Sequence, residues 1–127
     1  MQAELNELSG KIIARAMRVH SALGPGLLES AYESCLAYEL RQCRLRVRTQ
    51  VAVPLRYGAS YIEVAYRIDI LVEEAIVVEL KTVTALLPIH EAQLLTQLRL
   101  GNYRLGLLLN FYVTHMRDGI KRIVNGL

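Results

Sequence analysis

Cysteine is scarce in this chain and poorly placed for cross-linking. There are two, Cys35 and Cys43. Both fall in one predicted helix, far apart along its axis, so they do not readily bridge. No Cys-x-x-Cys pair is present. The two read as buried free thiols in a reducing compartment, and the expected location is cytoplasmic. Long apolar runs are missing too. Lys or Arg interrupts every helix-like segment, so no stretch is long enough to span a bilayer, and no membrane partner is expected. The opening Met1-Gln2-Ala3-Glu4-Leu5-Asn6-Glu7 is acidic and periodic, unlike a signal peptide. Net charge is only +3, which permits a polyanionic partner without requiring one. Repeats, linkers and low-complexity segments are absent. A length of 127 residues and a hydrophobic fraction of 53% imply one globular domain with a modest core.

What is present follows a clear order of periods. Leu5, Leu8, Ile12, Ile13, Ala16, Met17 and His20 recur at helical spacing over about Glu4 to Ala22, and Gly24-Pro25-Gly26 stops the helix. A second helix is predicted from about Leu27 to Gln42. Alternation from Arg44 to Val53 then predicts a strand, followed by strands from about Ile62 to Val72 and from Ala75 to Thr82. Pro88 opens a third helix that stops at Gly101-Asn102. Arg104 to Phe111 is another apolar strand, and a short strand or helix lies near Ile120 to Val124. This order predicts an α/β fold, a central mixed sheet flanked by helices. The third helix is long enough to cross over between parallel strands.

The stretch Tyr66 to Lys81 carries the chemistry. Its second strand is apolar enough to be buried on both faces, yet it ends in Glu79 and Lys81, which share a side because strand side chains alternate. A turn centred on Glu74 places Asp69 opposite Glu79. Two carboxylates and an ammonium at the end of a buried strand are costly to desolvate, and a hard divalent cation would compensate them. Lys81 would then orient or deprotonate an attacking water, or stabilise a developing anion. The same residues would also serve as a solvated Glu–Lys pair at a strand end. Glu29 sits in the first turn of its helix, where it complements the macrodipole. His90 and Gln93 open the third helix, but position 94 is Leu, so no His-Glu-x-x-His zinc motif exists. Arg44, Arg46 and Arg48 on one predicted strand face, and Lys11, Arg15 and Arg18 on one helix face, would track a phosphate backbone. They would equally protect an edge strand and solvate a helix.

Taken together and in order, these residues resemble the GxxExxY family of the PD-(D/E)XK nuclease superfamily. Its naming motif stands as Gly26-Leu27-Leu28-Glu29-Ser30-Ala31-Tyr32. The likeness extends through Tyr66-Arg67-Ile68-Asp69-Ile70-Leu71-Val72, Val78-Glu79-Leu80-Lys81, His90-x-Ala92-Gln93-Leu94-Leu95 and Gly106-Leu107-Leu108-Leu109-Asn110-Phe111. The resemblance implies a single restriction-endonuclease-like domain over residues 1–127. It implies Asp69, Glu79 and the Leu80 carbonyl as metal ligands, Lys81 acting on water, and Glu29 facing the same or a second metal. Gln93 would match the glutamine of the helix after the core strands, while Gln97 stands where many relatives have Tyr. The implied activity is magnesium- or manganese-dependent hydrolysis of phosphodiester bonds in DNA, ahead of RNA. The alternative is an inactive nucleic-acid-binding or assembly module. A homodimer is a further possibility if Leu107, Leu109 or Phe111 offers apolar surface.

Overall fold

In a computed structural model describing residues 2–127, the described residues form three α-helices, five strands and one short 3-10 turn. Helices α1 (Gln2–Leu23) and α2 (Glu29–Gln42) come first. Strands β1 (Val47–Tyr57), β2 (Ser60–Val72) and β3 (Ile76–Lys81) follow, then α3 (Pro88–Gly101), β4 (Leu105–Asn110), a 3-10 turn (Met116–Gly119) and β5 (Ile120–Val124). The sheet runs in sequence order, β1-β2-β3-β4-β5. All its pairs are antiparallel except β3 and β4, which α3 joins as the expected crossover. One apolar layer packs α1 and α2 against Ile70, Val72, Val78, Leu80, Leu107 and Leu109. The other packs Leu94 and Leu98 of α3 against Leu71, Val77 and Leu108. Both faces of β3 are therefore covered, as its unbroken Ile76-Val77-Val78 run requires.

Several expectations are corrected. Strand β1 begins at Val47, because Arg44 takes a left-handed φ of 63° and leaves the extended region. It then runs through Pro54 to Tyr57, with a register shift between Val53 and Leu55. An edge strand tolerates a proline, since its outer N–H needs no ladder partner. Leu107, Leu109 and Phe111 are fully buried, so β4 offers no apolar surface for a homodimer. The closing element is a strand, preceded by a 3-10 turn that hydrophobic periodicity did not reveal.

The turn between β2 and β3 has its own support. Glu73 and Glu74 both have positive φ, 54° and 52°, and the Ala75 N–H donates to the Val72 carbonyl at 3.0 Å. This type I′ geometry normally favours Asn and Gly. Here arginines hold it. The Arg46 N–H donates to Glu73 Oε2 at 2.5 Å, and the Arg48 guanidinium grips both oxygens of Glu74 at 2.8 and 2.7 Å. That grip holds the Glu74 carboxyl below its ordinary pKa.

Candidate metal and active site

The site begins where two strands break their alternation. Ile68 and Ile70 are two residues apart, yet they pack in opposite layers of the core. Val47 and Val51 of β1 do the same, although four residues apart on a strand should share a face. Both strands therefore change face between these residues. The register places Gln50, with φ 52°, against Asp69 at that break. Ladder pairing of β2 with β3 ends at Ile70↔Val78, one step before Asp69 and Glu79. In place of the missing rung, Asp69 Oδ2 accepts the Leu80 N–H at 2.9 Å. A carboxylate thus holds the strands where they splay, and satisfies a backbone donor that would otherwise be buried unpaired.

Asp69 is the hub of the charges. The Glu79 carboxyl is pushed up to about 8, first by burial and next by Asp69 beside it, while Lys81 and the Gln97 amide favour its charged form. Two adjoining carboxyls in partly desolvated surroundings do not both ionise readily. Glu29 remains exposed at the mouth of the site. Its pKa is nevertheless raised, by burial, then Asp69, with Lys81 opposing and Glu33 adding to the rise. Glu33 is raised as well, by burial and then by Asp69. The Gln50 amide bridges the group, donating to Glu33 Oε1 at 2.7 Å and to Asp69 Oδ1 at 3.4 Å. Asp69 and Lys81 thus act on the charge of both Glu29 and Glu79. Among the described residues, no group of three or more His, Cys, Asp or Glu side chains is placed to hold a metal ion.

The motif around Glu29 owes its spacing to Tyr32. That ring is fully buried and stacks on Phe111, with centroids 4.6 Å apart and planes at 15°. Its hydroxyl donates to the Gly24 carbonyl at 2.5 Å and accepts the Leu27 N–H at 3.2 Å. One side chain therefore fastens the Gly24-Pro25-Gly26 turn to the helix that presents Glu29. Gly26 has a φ of 108°, a conformation that side chains beyond glycine rarely adopt. Tyr32→Phe is expected to cost about 1 kcal/mol and to lower the melting temperature by roughly 3–5 °C. Urea or thermal denaturation followed by circular dichroism measures both.

The glutamine beside Glu79 is Gln97, one turn beyond Gln93 on α3. Gln93 is exposed and lines a groove that Gln97 also borders, together with Tyr66 and Thr96. Gln97 is held in place through its backbone, because the Tyr66 hydroxyl donates to its carbonyl at 2.6 Å. Burial and Tyr103 push the Tyr66 phenol up to about 12, so it remains a donor. Oε1 of Gln97 is buried without a partner. His90 acts as a cap: its Nδ1 accepts the Leu87 N–H at 3.0 Å at the start of α3. Glu33, Gln50 and Gln97 were missing from the sequence-derived site. Only Glu33 carried a usable signal, since it lies four residues after Glu29 on the same helix face.

The basic residues are occupied within the fold. Lys11 pairs with Glu7 at 3.8 Å, and Arg15 and Arg18 both pair with Glu39, at 3.5 and 3.3 Å. Arg46 and Arg48 serve the acidic turn, and Arg44 lies off the strand. The expected face of three alternating arginines is not formed.

A family model for the PD-(D/E)XK nuclease superfamily matches residues 6–123. This chain belongs to that superfamily. Searches of curated proteins and of solved structures returned no match. The five-stranded mixed sheet with its three helices is consistent with the restriction-endonuclease-like fold. Nucleases of the superfamily generally use divalent metals, and membership points to a nucleic-acid substrate. Among the described residues, no helix is long and apolar enough to cross a membrane. The residues present fit a divalent cation. The donors are hard oxygens, Asp69 and Glu79 repel one another without a counter-charge, and Gln97 Oε1 has an unused acceptor next to them.

Proposed function

We propose that this chain is a divalent-cation-dependent nuclease of the GxxExxY type that hydrolyses phosphodiester bonds in DNA. The observation that carries the reading is the contact of Glu79 with Asp69, with Lys81 beside them, at the point where two strands part. Asp69, Glu79 and the Leu80 carbonyl would hold magnesium or manganese, with Glu29 at the outer edge. When bound, the cation supplies the charge that polarises the phosphodiester and eases deprotonation of the attacking water. Lys81 orients that water and stabilises negative charge that develops on the phosphate. Gln97 favours the ionised Glu79 that binding requires, and Gln50 holds Asp69 and Glu33 in register. Hydrolysis joins the water oxygen to phosphorus, breaks one P–O ester bond and protonates the departing oxygen. Retention of all these ionisable groups favours a working enzyme over an inactive assembly module. Incubation with single-stranded, duplex and plasmid DNA, and with RNA, tests the reading. Cleavage of DNA should appear with magnesium or manganese and vanish in EDTA. Metal-independent cleavage, or none of any nucleic acid, contradicts it.

A further inference from the structure

A cleft of about 740 Å³ lies against the Glu29 carboxylate, bounded by Leu27 and Leu28 at the start of α2 and by Thr82, Thr84 and Tyr112. Glu29 lines the cleft and also feels the charges of Asp69 and Lys81, so the cleft adjoins the proposed reacting centre. Its walls are unusual for water-facing surface. Leu28 is 77% exposed and Tyr112 46%. No Lys or Arg lines the cleft. A phosphate held there would meet a carboxylate and no cation, and would be repelled. A nucleobase meets suitable groups instead: an aromatic ring and leucine side chains for its faces, and two threonine hydroxyls for its polar edge. Bases inside a continuous duplex are stacked and paired, and cannot enter a side cleft without being extruded.

We infer that this cleft takes the unstacked nucleobase next to the scissile phosphate, so that the substrate is single-stranded DNA or a frayed strand end. The inference rests on the nuclease reading and specifies its substrate. Leu28 acts as the wedge at the lip, and Tyr112 as the stacking platform.

Fluorescence anisotropy tests it on the full chain, with calcium replacing magnesium to hold the substrate intact. The probes are a labelled oligonucleotide and the same strand annealed to its complement. The single strand should bind at least about tenfold more tightly than the duplex. Tyr112→Ala and Leu28→Ala should each weaken single-strand binding by roughly 5- to 100-fold, and Tyr112→Phe should retain it. Equal or tighter duplex binding, or single-strand binding unchanged in Tyr112→Ala, overturns the inference while leaving the nuclease reading intact. Failure to bind either probe, with no cleavage in magnesium or manganese, overturns both.

Discussion

Lys81→Ala is expected to lower magnesium-dependent cleavage by about 10²- to 10⁴-fold, the range for removing a positioned proton-transfer group. Asp69→Asn should lose at least as much, because it removes the charge of a proposed ligand. Asparagine is the informative replacement here. Its side-chain oxygen can still accept the Leu80 N–H that Asp69 holds at 2.9 Å, whereas alanine would leave that donor unpaired. A loss of activity with an unchanged circular dichroism spectrum therefore reports on chemistry rather than folding. Lys81→Ala has a further effect. The ammonium favours the charged forms of both Glu29 and Glu79. Its removal should raise both carboxyls further and shift metal-dependent activity to higher pH. Single-turnover cleavage rates across a pH series measure the rate loss and the shift together.

The second large effect is on stability. Glu79→Gln is expected to stabilise the metal-free protein at pH 8 by on the order of 3 kcal/mol, and to remove most of the local pH dependence. The sign follows from the raised carboxyl. Glu79 titrates at about 8 in the folded chain, against an ordinary value of 4.5. Below the ordinary value both states hold the proton and no penalty exists. Between the two values the unfolded chain releases the proton while the folded chain keeps it, so stability falls as pH rises, by up to about 1.4 kcal/mol per unit. Above the folded value the penalty is complete. Urea denaturation of both proteins from pH 5 to pH 9 should give curves that meet at low pH and diverge upward. Parallel curves would show that Glu79 is not held protonated. The variant should gain stability and lose metal binding together, the exchange expected where a site stores electrostatic strain for function.

Much of this was legible in the residues. The Ile76-Val77-Val78 run and the charges that end it located the central strand. The turn centred on Glu74 placed Asp69 and Glu79 within one step of each other, and the length of α3 implied the parallel crossover between β3 and β4. Other features had no local signature. Gln50 adopts a left-handed φ that nothing in Thr49-Gln50-Val51 announces, so the change of face that frees the Asp69 carboxyl could not be read from alternation. Gln93 and Gln97 lie one helical turn apart, and which of them stands beside Glu79 depends on how α3 sits on the sheet. Arg46 and Arg48 looked like phosphate contacts because sequence shows their charge but not Glu73 and Glu74, which the turn brings alongside them. Tyr32 stands in the sequence only as part of the Gly26–Tyr32 motif; that its buried hydroxyl fastens the loop before Glu29 depends on the tertiary fold.

Asp69 and Glu79 are proposed to share one divalent cation. Calorimetric titration of manganese into the metal-free chain at pH 7.5, repeated in buffers of different ionisation enthalpy, tests it most directly. One ion should bind per chain with net proton release, because the cation displaces the proton that Glu79 holds. Asp69→Asn and Glu79→Gln should show no binding. Absence of a binding heat in every buffer, or equal affinity in the two variants, would contradict it.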